Sequence, residues 1–479
     1  MIRYIFEESR PGNVGYSLPK SDVPTSPLPN GLIGDKLLDL PEVTEVDVVR
    51  HVTKMARHTY GVDTGFYPLG SCTMKYNPRI NEELAAIEGF LNLHPDTPIE
   101  GSQGALQMLF ELQSYFCEIT GMDGFTLAPA AGAHGEMVGM NIIHQYHKSR
   151  GDHKRNKVLI PDSAHGTNPA SAAASGFEVV TIPSDVNGFV DLNGLREHMN
   201  DEVSGLMLTN PNTVGLFDPN TCEIAKIVHE RGGLLYYDGA NLNALMGISR
   251  PGDFGFDVVH LNLHKTFSTP HGGGGPGAAP VGVKDILKPF LPIPVVVKNG
   301  ENYEFDYNLP NSIGRIRATW GNFLVLLKSY VYIRTLGPDG LKKATEHAVL
   351  AANYIRVKIN DLFPEANKGI CMHECVLTGA PLKKFNVTTK DLSKRLMDYG
   401  FHPPTNYFPL IVPEAIMIEP TETESKATLD SFIDAMRAIY KEAEEGTVDL
   451  TKAPFTTEIS RVDEAKAARN PTLRWTKKS

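Results

Sequence analysis

Cysteine is scarce: Cys72, Cys117, Cys222, Cys371 and Cys375 are the only five in a chain of 479 residues. An odd number at wide spacing does not make a disulfide framework, and it suits a reducing compartment, so a cytoplasmic location is expected. Cys371 and Cys375 bracket His373, but no fitting second ligand pair accompanies them, so no metal site is expected. No apolar run approaches the roughly 18 residues of a membrane span. The opening MIRYIFEESRPGNVGYSLP has no basic stretch followed by an apolar one, and a secretory signal is not expected there. The net charge of −10, without long blocks of one sign, argues against a nucleic-acid partner, whose phosphates need a basic face. No short repeat and no sustained heptad seam is present, which excludes a solenoid and a long coiled coil.

What is there is the composition of a globular protein, 41% hydrophobic and 21% charged, in a chain long enough for about two to three domains. Residues 1–64 read as a Pro- and Gly-rich arm followed by a helix from Thr44, with Val46, Val49, Val52 and Met55 at helical intervals. GFYPLGSCTMKYNPR, Gly65 to Arg79, is a loop by composition. Ser102 then caps a helix that Gly121 stops. From there short apolar runs (GFTLAP, KVLIP, FEVVTIP, GLMLTNP, LLYYDGA, FDVVHLNLHK, GAAPVGV) alternate with helical segments. That alternation predicts an α/β domain over 65–330, a mostly parallel sheet covered by helices, with ligands at the carboxyl ends of the strands. Strand-like and helical segments over 331–446 predict a smaller α+β domain, and 447–479 reads as a C-terminal arm.

The chain is organised around HLNLHKTFSTPHGGGGPG, His260 to Gly277. Lys265 follows an apolar run, where an ammonium is rarely found without a partner or a task. A lysine in such a place is suited to forming a Schiff base with an aldehyde, and the glycines Gly272 to Gly275 let backbone approach a bulky ligand. The run is not a phosphate-binding P-loop, since no GK[ST] ends it. Pyridoxal phosphate (PLP) needs three things from a protein: an imine lysine, an acid beside the pyridine nitrogen, and a phosphate seat. Asp238 ends the strand before that of Lys265 and fits the second role. The small-residue turn Ala131, Gly132, Ala133 opens a helix whose free N–H groups fit the third. His165, past the end of KVLIP, is placed to stack on a cofactor ring. Each has a plainer reading: a surface lysine before a turn, Asp238 as a helix cap, His165 as a core histidine, 130–133 as an ordinary strand-to-helix turn. Ala240 and His264 complete the cofactor-binding candidates, although alternation along a strand would turn His264 away from the site.

YPLGSCTMKYNP, PAAGAHGE, DSAHGTNPAS, LTNPNTVGLF, YYDGANLNA and HLNLHKTFSTPHGGGGPG together resemble the glycine-cleavage P-protein family of PLP-dependent glycine dehydrogenases (decarboxylating). The resemblance runs from about residue 65 to 425. A length near 480 with the lysine present is similar to the second subunit of the split form, which a companion subunit lacking that lysine completes as α2β2. The resemblance implies the PLP-dependent transferase fold type I and a covalent imine on Lys265. It also implies decarboxylation of glycine with transfer of the aminomethyl group to the lipoyl arm of H-protein. Lys265 and His165 would be the catalytic residues, with the freed Lys265 moving protons. Arg315 and Arg317 are candidates for the glycine carboxylate, Thr73 is a further candidate substrate residue, and the Gly65–Arg79 loop is a candidate for a wall of the lipoyl channel. Two other readings stay open: another fold-type-I PLP enzyme, such as an aminotransferase or amino-acid decarboxylase, and a non-catalytic structural subunit.

Overall fold

The computed structural model describes residues 3–29, 31–34, 38–185, 188–274 and 277–476. The chain divides into two units, Met1–Gly65 with Thr456–Ser479, and Phe66–Phe455. The first unit holds helix α1 (Glu45–Arg57). Thr44 starts it with a reciprocal cap: its hydroxyl accepts the Asp47 N–H at 3.2 Å, and the Asp47 carboxylate accepts the Thr44 N–H at 3.1 Å. Val46, Val49, Val52 and Met55 recur at the expected helical spacing and all stay exposed.

In the second unit two short helices, α2 (Arg79–Ala85) and α3 (Glu88–Leu91), precede the long α4 (Gln103–Thr120). Strands and helices then alternate: β1 (Gly124–Thr126), α5 (Gly132–Ser149), β2 (Lys157–Pro161), α6 (Thr167–Ala174), β3 (Glu178–Ile182), α7 (Leu192–His198), β4 (Val203–Leu208), α8 (Thr221–Glu230), β5 (Leu234–Gly239), β6 (Val258–Leu261) and β7 (Val281–Val283). They build one seven-stranded sheet in the order β1-β7-β6-β5-β4-β2-β3. β7 alone runs antiparallel to its neighbours, so the sheet is mostly parallel, as expected. Side chains alternate between two buried layers. Leu206, Leu235, Tyr237 and Val259 pack against α4 and α8, while Met207, Leu234, Tyr236 and Val258 pack against α5. Each fully buried side chain of this size contributes roughly 1.5–3 kcal/mol by leaving water.

A hairpin that the sequence reading passed over follows, β8 (Val295–Asn299) and β9 (Asn302–Asp306). Its two-residue turn, Gly300-Glu301, puts Gly300 at φ 64°, which is the glycine signature of a tight hairpin. Helix α9 (Phe323–Ile359) carries the chain on for 37 residues and turns at Gly337, φ 61° and ψ −177°, just before Pro338. Before the turn Val325, Leu326 and Val331 enter the core of the sheet; after it Ala352, Ile355 and Ile359 enter a second core. That second core is closed by β10 (Cys375–Thr378), α10 (Thr389–Asp398), β11 (Thr405–Asn406), β12 (Ala415–Ile418) and α11 (Lys426–Glu445). The three strands form an antiparallel sheet in the order β10-β12-β11. Leu450, in the segment expected to be a C-terminal arm, is 1% exposed and belongs to this core. A last helix, α12 (Glu464–Arg469), belongs to the first unit. Among the described residues no helix is long and apolar enough to cross a membrane.

Candidate active site

The parallel sheet places its carboxyl ends side by side, and Asp238 sits at one of them. It is 5% exposed on β5, directly opposite His260 of β6. Neighbouring parallel strands in this register point the two side chains to the same face, and His260 Nε2 lies 3.5 Å from Asp238 Oδ1. The other ring nitrogen of His260, Nδ1, is 2.6 Å from the Tyr236 hydroxyl, while Nε2 is buried beside Asp238 without a hydrogen bond of its own. Gly239 next to Asp238 has no room for a side chain: a Cβ there would lie 2.6 Å from the His260 carbonyl oxygen. Burial alone would raise the Asp238 carboxyl, but His260, the Ala240 N–H at 3.1 Å, Lys265 and Asn168 outweigh it and hold the group below its ordinary range.

Strand β6 ends at Leu261, and Lys265 stands in the turn that follows, half-buried. It lines a cavity of about 610 Å³ together with Asp238, Ala240 and His165. His264 lines the same cavity, against the expectation that it faces away; the strand has already ended, so its two-residue alternation no longer applies. Its ring meets that of His271 edge-on at 4.7 Å. Burial, then His271, Lys265 and His260, push the His264 imidazole down to about 3, and burial lowers His271 as well. These rings therefore stay neutral beside Lys265. Of the glycine run, Gly272–Gly274 form one tight turn, with Gly272 and Gly273 exposed, and Gly275 lies outside the described residues.

Helix α5 opens onto the same cavity. Gly132 and Ala133 line it, while Ala131 is the cap residue and does not. A Cβ on Gly132 would lie 2.8 Å from Asn262 Oδ1, an oxygen that is buried without a hydrogen-bond partner. Glycine therefore keeps the helix entrance open where free N–H groups gather. His165 is oriented by the start of α6: the Thr167 N–H donates to its Nδ1 at 3.3 Å, and the Thr167 hydroxyl donates to Glu136 Oε1 at 2.9 Å. The His165 ring meets Phe408 edge-on at 5.9 Å.

The opposite wall comes from the loop after Phe66 and from the C-terminal sheet. Leu69, Gly70, Ser71 and Cys72 line the cavity, and so do His373 and Glu374 just before β10. Ser71 and Thr73 both adopt left-handed backbone, φ 67° and 50°, which costs a non-glycine residue about 1–2 kcal/mol. That twist aims the Ser71 N–H at Glu374 Oε2, 2.9 Å away, and the Thr73 N–H at Glu419 Oε2, 3.0 Å away. Cys72 between them is a thiol pushed up by burial, lowered in part by Lys265 and raised further by Glu419 and Glu374.

The structure thus brings Lys265, Asp238, His165, Gly132, Ala133, Ala240 and His264 to one cavity. Three substrate candidates do not reach it. The Arg315 guanidinium lies over the Tyr307 ring at 5.2 Å. Arg317 donates to the Ala128 carbonyl at 3.4 Å and to Asn322 Oδ1 at 3.1 Å. Thr73 is fully buried and gives its hydroxyl to Glu419 Oε1 at 2.6 Å. The arginines follow a hairpin absent from the sequence reading, and that hairpin gives Arg315 its stacking partner from the segment after β9. Residues that sequence reasoning missed are Asn262, His271, His373, Glu374 and Glu419. The signal for the last three was polar residues inside otherwise apolar strand-like runs, HEC in CMHECVLTG and the E of MIEPT. Among the described residues the one group arranged like metal ligands is His373, Glu374 and Glu419, with neither Cys371 nor Cys375 in it.

Comparison with known proteins follows the same lines. Residues 344–458 match the family model of the glycine dehydrogenase C-terminal domain. The chain is 59% identical over 477 residues to the probable glycine dehydrogenase (decarboxylating) subunit 2 of Caldanaerobacter subterraneus subsp. tengcongensis, covering 99% of this chain and 98% of the relative. Among solved structures, an inhibitor-bound glycine decarboxylase (P-protein) of the glycine cleavage system aligns with a TM-score of 0.73 at 21% identity, over 86% of this chain and 93% of that one. The glutamate decarboxylase of Lactobacillus brevis aligns at 0.64 and 12% identity, over 90% and 96%.

Proposed function

The chain belongs to the family of glycine dehydrogenase (decarboxylating) subunit 2, and on that premise we propose that it is the PLP-bearing catalytic subunit that decarboxylates glycine and passes the aminomethyl group to a lipoyl carrier. Its fold is that of the PLP-dependent transferases of fold type I. The observation that carries the reading is the meeting of Lys265, Asp238 and the open start of α5 in one cavity.

The residues present fit the cofactor. Lys265 would hold it covalently. Asp238, kept as a carboxylate by His260 and the Ala240 N–H, would accept a hydrogen bond from a protonated pyridine nitrogen and keep the proton there. The N–H groups at the start of α5, opened by Gly132, would take the phosphate. His165, turned by Thr167, would cover a ring face. When bound, the cofactor supplies an electron sink for the pair left on carbon as CO2 departs. Lys265 would be the amine that moves protons at the substrate nitrogen and carbon. The neutral rings of His264 and His271 add no competing positive charge beside it.

A companion subunit fits the subunit numbering of the relatives, α2β2 is the proposed stoichiometry, and the exposed apolar stripe of α1 is a surface suited to being covered. The lipoyl arm of H-protein would enter beside the Leu69–Cys72 wall of the cavity. The sparse free cysteines suit the cytoplasm. The test is release of labelled CO2 from carboxyl-labelled glycine by this chain, alone and with the companion subunit and lipoylated carrier. Release that requires glycine, PLP and the carrier supports the assignment. Release without the carrier, with an amine as product, would make the chain a simple amino-acid decarboxylase instead.

A further inference from the structure

The wall facing Lys265 holds an acid that neither the cofactor nor its lysine accounts for. Glu374 is 4% exposed and lines the cavity, and Glu419, just past β12, is fully buried behind it. One oxygen from each and one ring nitrogen of His373 lie within 4.8 Å of one another. Two carboxyls this close in a dry site do not both ionise; they share a proton. The hydrogen bonds decide which one carries it. Glu419 receives four donors: the Thr73 N–H at 3.0 Å, the Thr73 hydroxyl at 2.6 Å, Asn241 Nδ2 at 2.8 Å and Asn243 Nδ2 at 3.0 Å. Glu374 receives the Ser71 N–H at 2.9 Å. The proton therefore rests on Glu374, the member that faces the cavity. The crowding of donors on Glu419 also leaves the trio poorly suited to a cation.

The other titratable groups around Glu374 do not reverse this. Burial, then Glu419, push its carboxyl up; the Ser71 N–H and Lys265 offset part of that. His373 Nε2 is 3.9 Å from Glu374 Oε2, but burial holds that imidazole toward its neutral form. The thiols of Cys72, Cys371 and Cys375 are all pushed up by burial and bring no opposing charge.

The reaction proposed above, on which this inference rests, needs such an acid. The C–C bond of glycine breaks and its electron pair stays on the methylene carbon as CO2 leaves. That carbon bonds to one sulfur of the lipoyl disulfide, the S–S bond breaks, and the pair departs on the second sulfur. The disulfide is reduced by two electrons drawn from the C–C bond. The balanced equation takes up one proton: glycine zwitterion, disulfide and H⁺ give CO2 and a dihydrolipoyl group carrying S–CH2–NH3⁺ and a free S–H.

We propose that Glu374 supplies that proton, delivering it to the sulfur expelled when the lipoyl disulfide opens, with Glu419 and the twisted Ser71–Thr73 loop keeping it loaded between turnovers. The carboxylate left on Glu374 regains its proton from solvent, which is where the net H⁺ enters.

The test uses the assembled holoenzyme in wild-type and Glu374→Gln forms, since glutamine keeps the shape but has no proton to give. Infrared difference spectra of the two at neutral pH read the proton without any turnover. A protonated-carboxyl carbonyl band that shifts in heavy water is expected; its absence would overturn the proposal. Transfer to the lipoylated carrier is then followed against pH. The wild-type rate should fall as pH rises through the Glu374 titration. The variant should be slower by about 10²–10⁴-fold at neutral pH and lack that fall. A variant that keeps the wild-type rate, or one uniformly slower with an unchanged pH profile, would contradict proton donation. A wild-type assembly that released no CO2 from glycine would sink the underlying assignment, and the infrared band would still decide whether Glu374 holds the proton.

Discussion

The two walls of the cavity each bury one carboxyl, and their surroundings move the two in opposite directions. Asp238, on the parallel sheet, is 5% exposed, and Glu374, beside the C-terminal sheet, is 4% exposed. Desolvation opposes ionisation equally well at both places. Asp238 is ringed by an imidazole, a backbone N–H and a lysine, and falls below its ordinary range. Glu374 has no such ring: burial, and then the second carboxyl, push it up. Burial pushes both carboxyls up; what separates them is that the neighbours of Asp238 outweigh it and the nearest acid to Glu374 adds to it. Environments that drive two acids of one site apart mark which holds a charge and which holds a proton. Lys75 and Glu422 are the contrasting case outside the cavity. They form a 2.7 Å ion pair with both side chains largely buried, and the opposite charges satisfy each other.

Lys265→Ala should abolish glycine-dependent CO2 release and remove the covalent cofactor link; measurable turnover in that variant would take the lysine out of the account. Asp238→Asn should keep the link but lower kcat by about 10²–10³-fold, the usual size of losing one preorganised electrostatic partner. A spectrum showing retained cofactor together with wild-type kcat would mean that Asp238 is a structural cap.

The Glu374 side is sharpened by stability rather than rate. Its folded-state carboxyl titrates higher than the unfolded one, so the native protein binds the extra proton. Its stability contribution is intact below the unfolded value and is lost as pH climbs toward the folded value. Glutamine has no such dependence. The unfolding free energy of wild type relative to Glu374→Gln should therefore fall across that window, by about 1.4 kcal/mol for each unit between folded and unfolded values. Urea unfolding at a series of pH values measures it, and parallel curves would contradict the raised carboxyl. The smallest effect is expected of Arg315→Ala. Its guanidinium stacks on Tyr307, so about 0.5–1 kcal/mol of stability is lost while KM for glycine stays within about twofold. A large rise in KM would bring the arginine back to the substrate.

The sheet was legible because its strands are short apolar runs separated by helices of helical period, a pattern few other folds produce. Lys265 and Asp238 were legible because charged residues at the ends of such runs stand out. The second wall was not. Glu374 and Glu419 meet across 45 residues of sequence, brought together by β10 pairing with β12, and no local pattern encodes that pairing. The left-handed turns at Ser71 and Thr73 were hidden too, since neither residue type announces positive φ. His264 was among the candidates, and the alternation that would have turned it away does not reach it, because β6 ends four residues before Lys265.

The most direct test of the central claim is the absorbance spectrum of the chain with added PLP, before and after borohydride, followed by peptide mapping. The account predicts an imine band that borohydride removes and a pyridoxyl label on Lys265. A label on another lysine, or no imine band even with the companion subunit present, would contradict it.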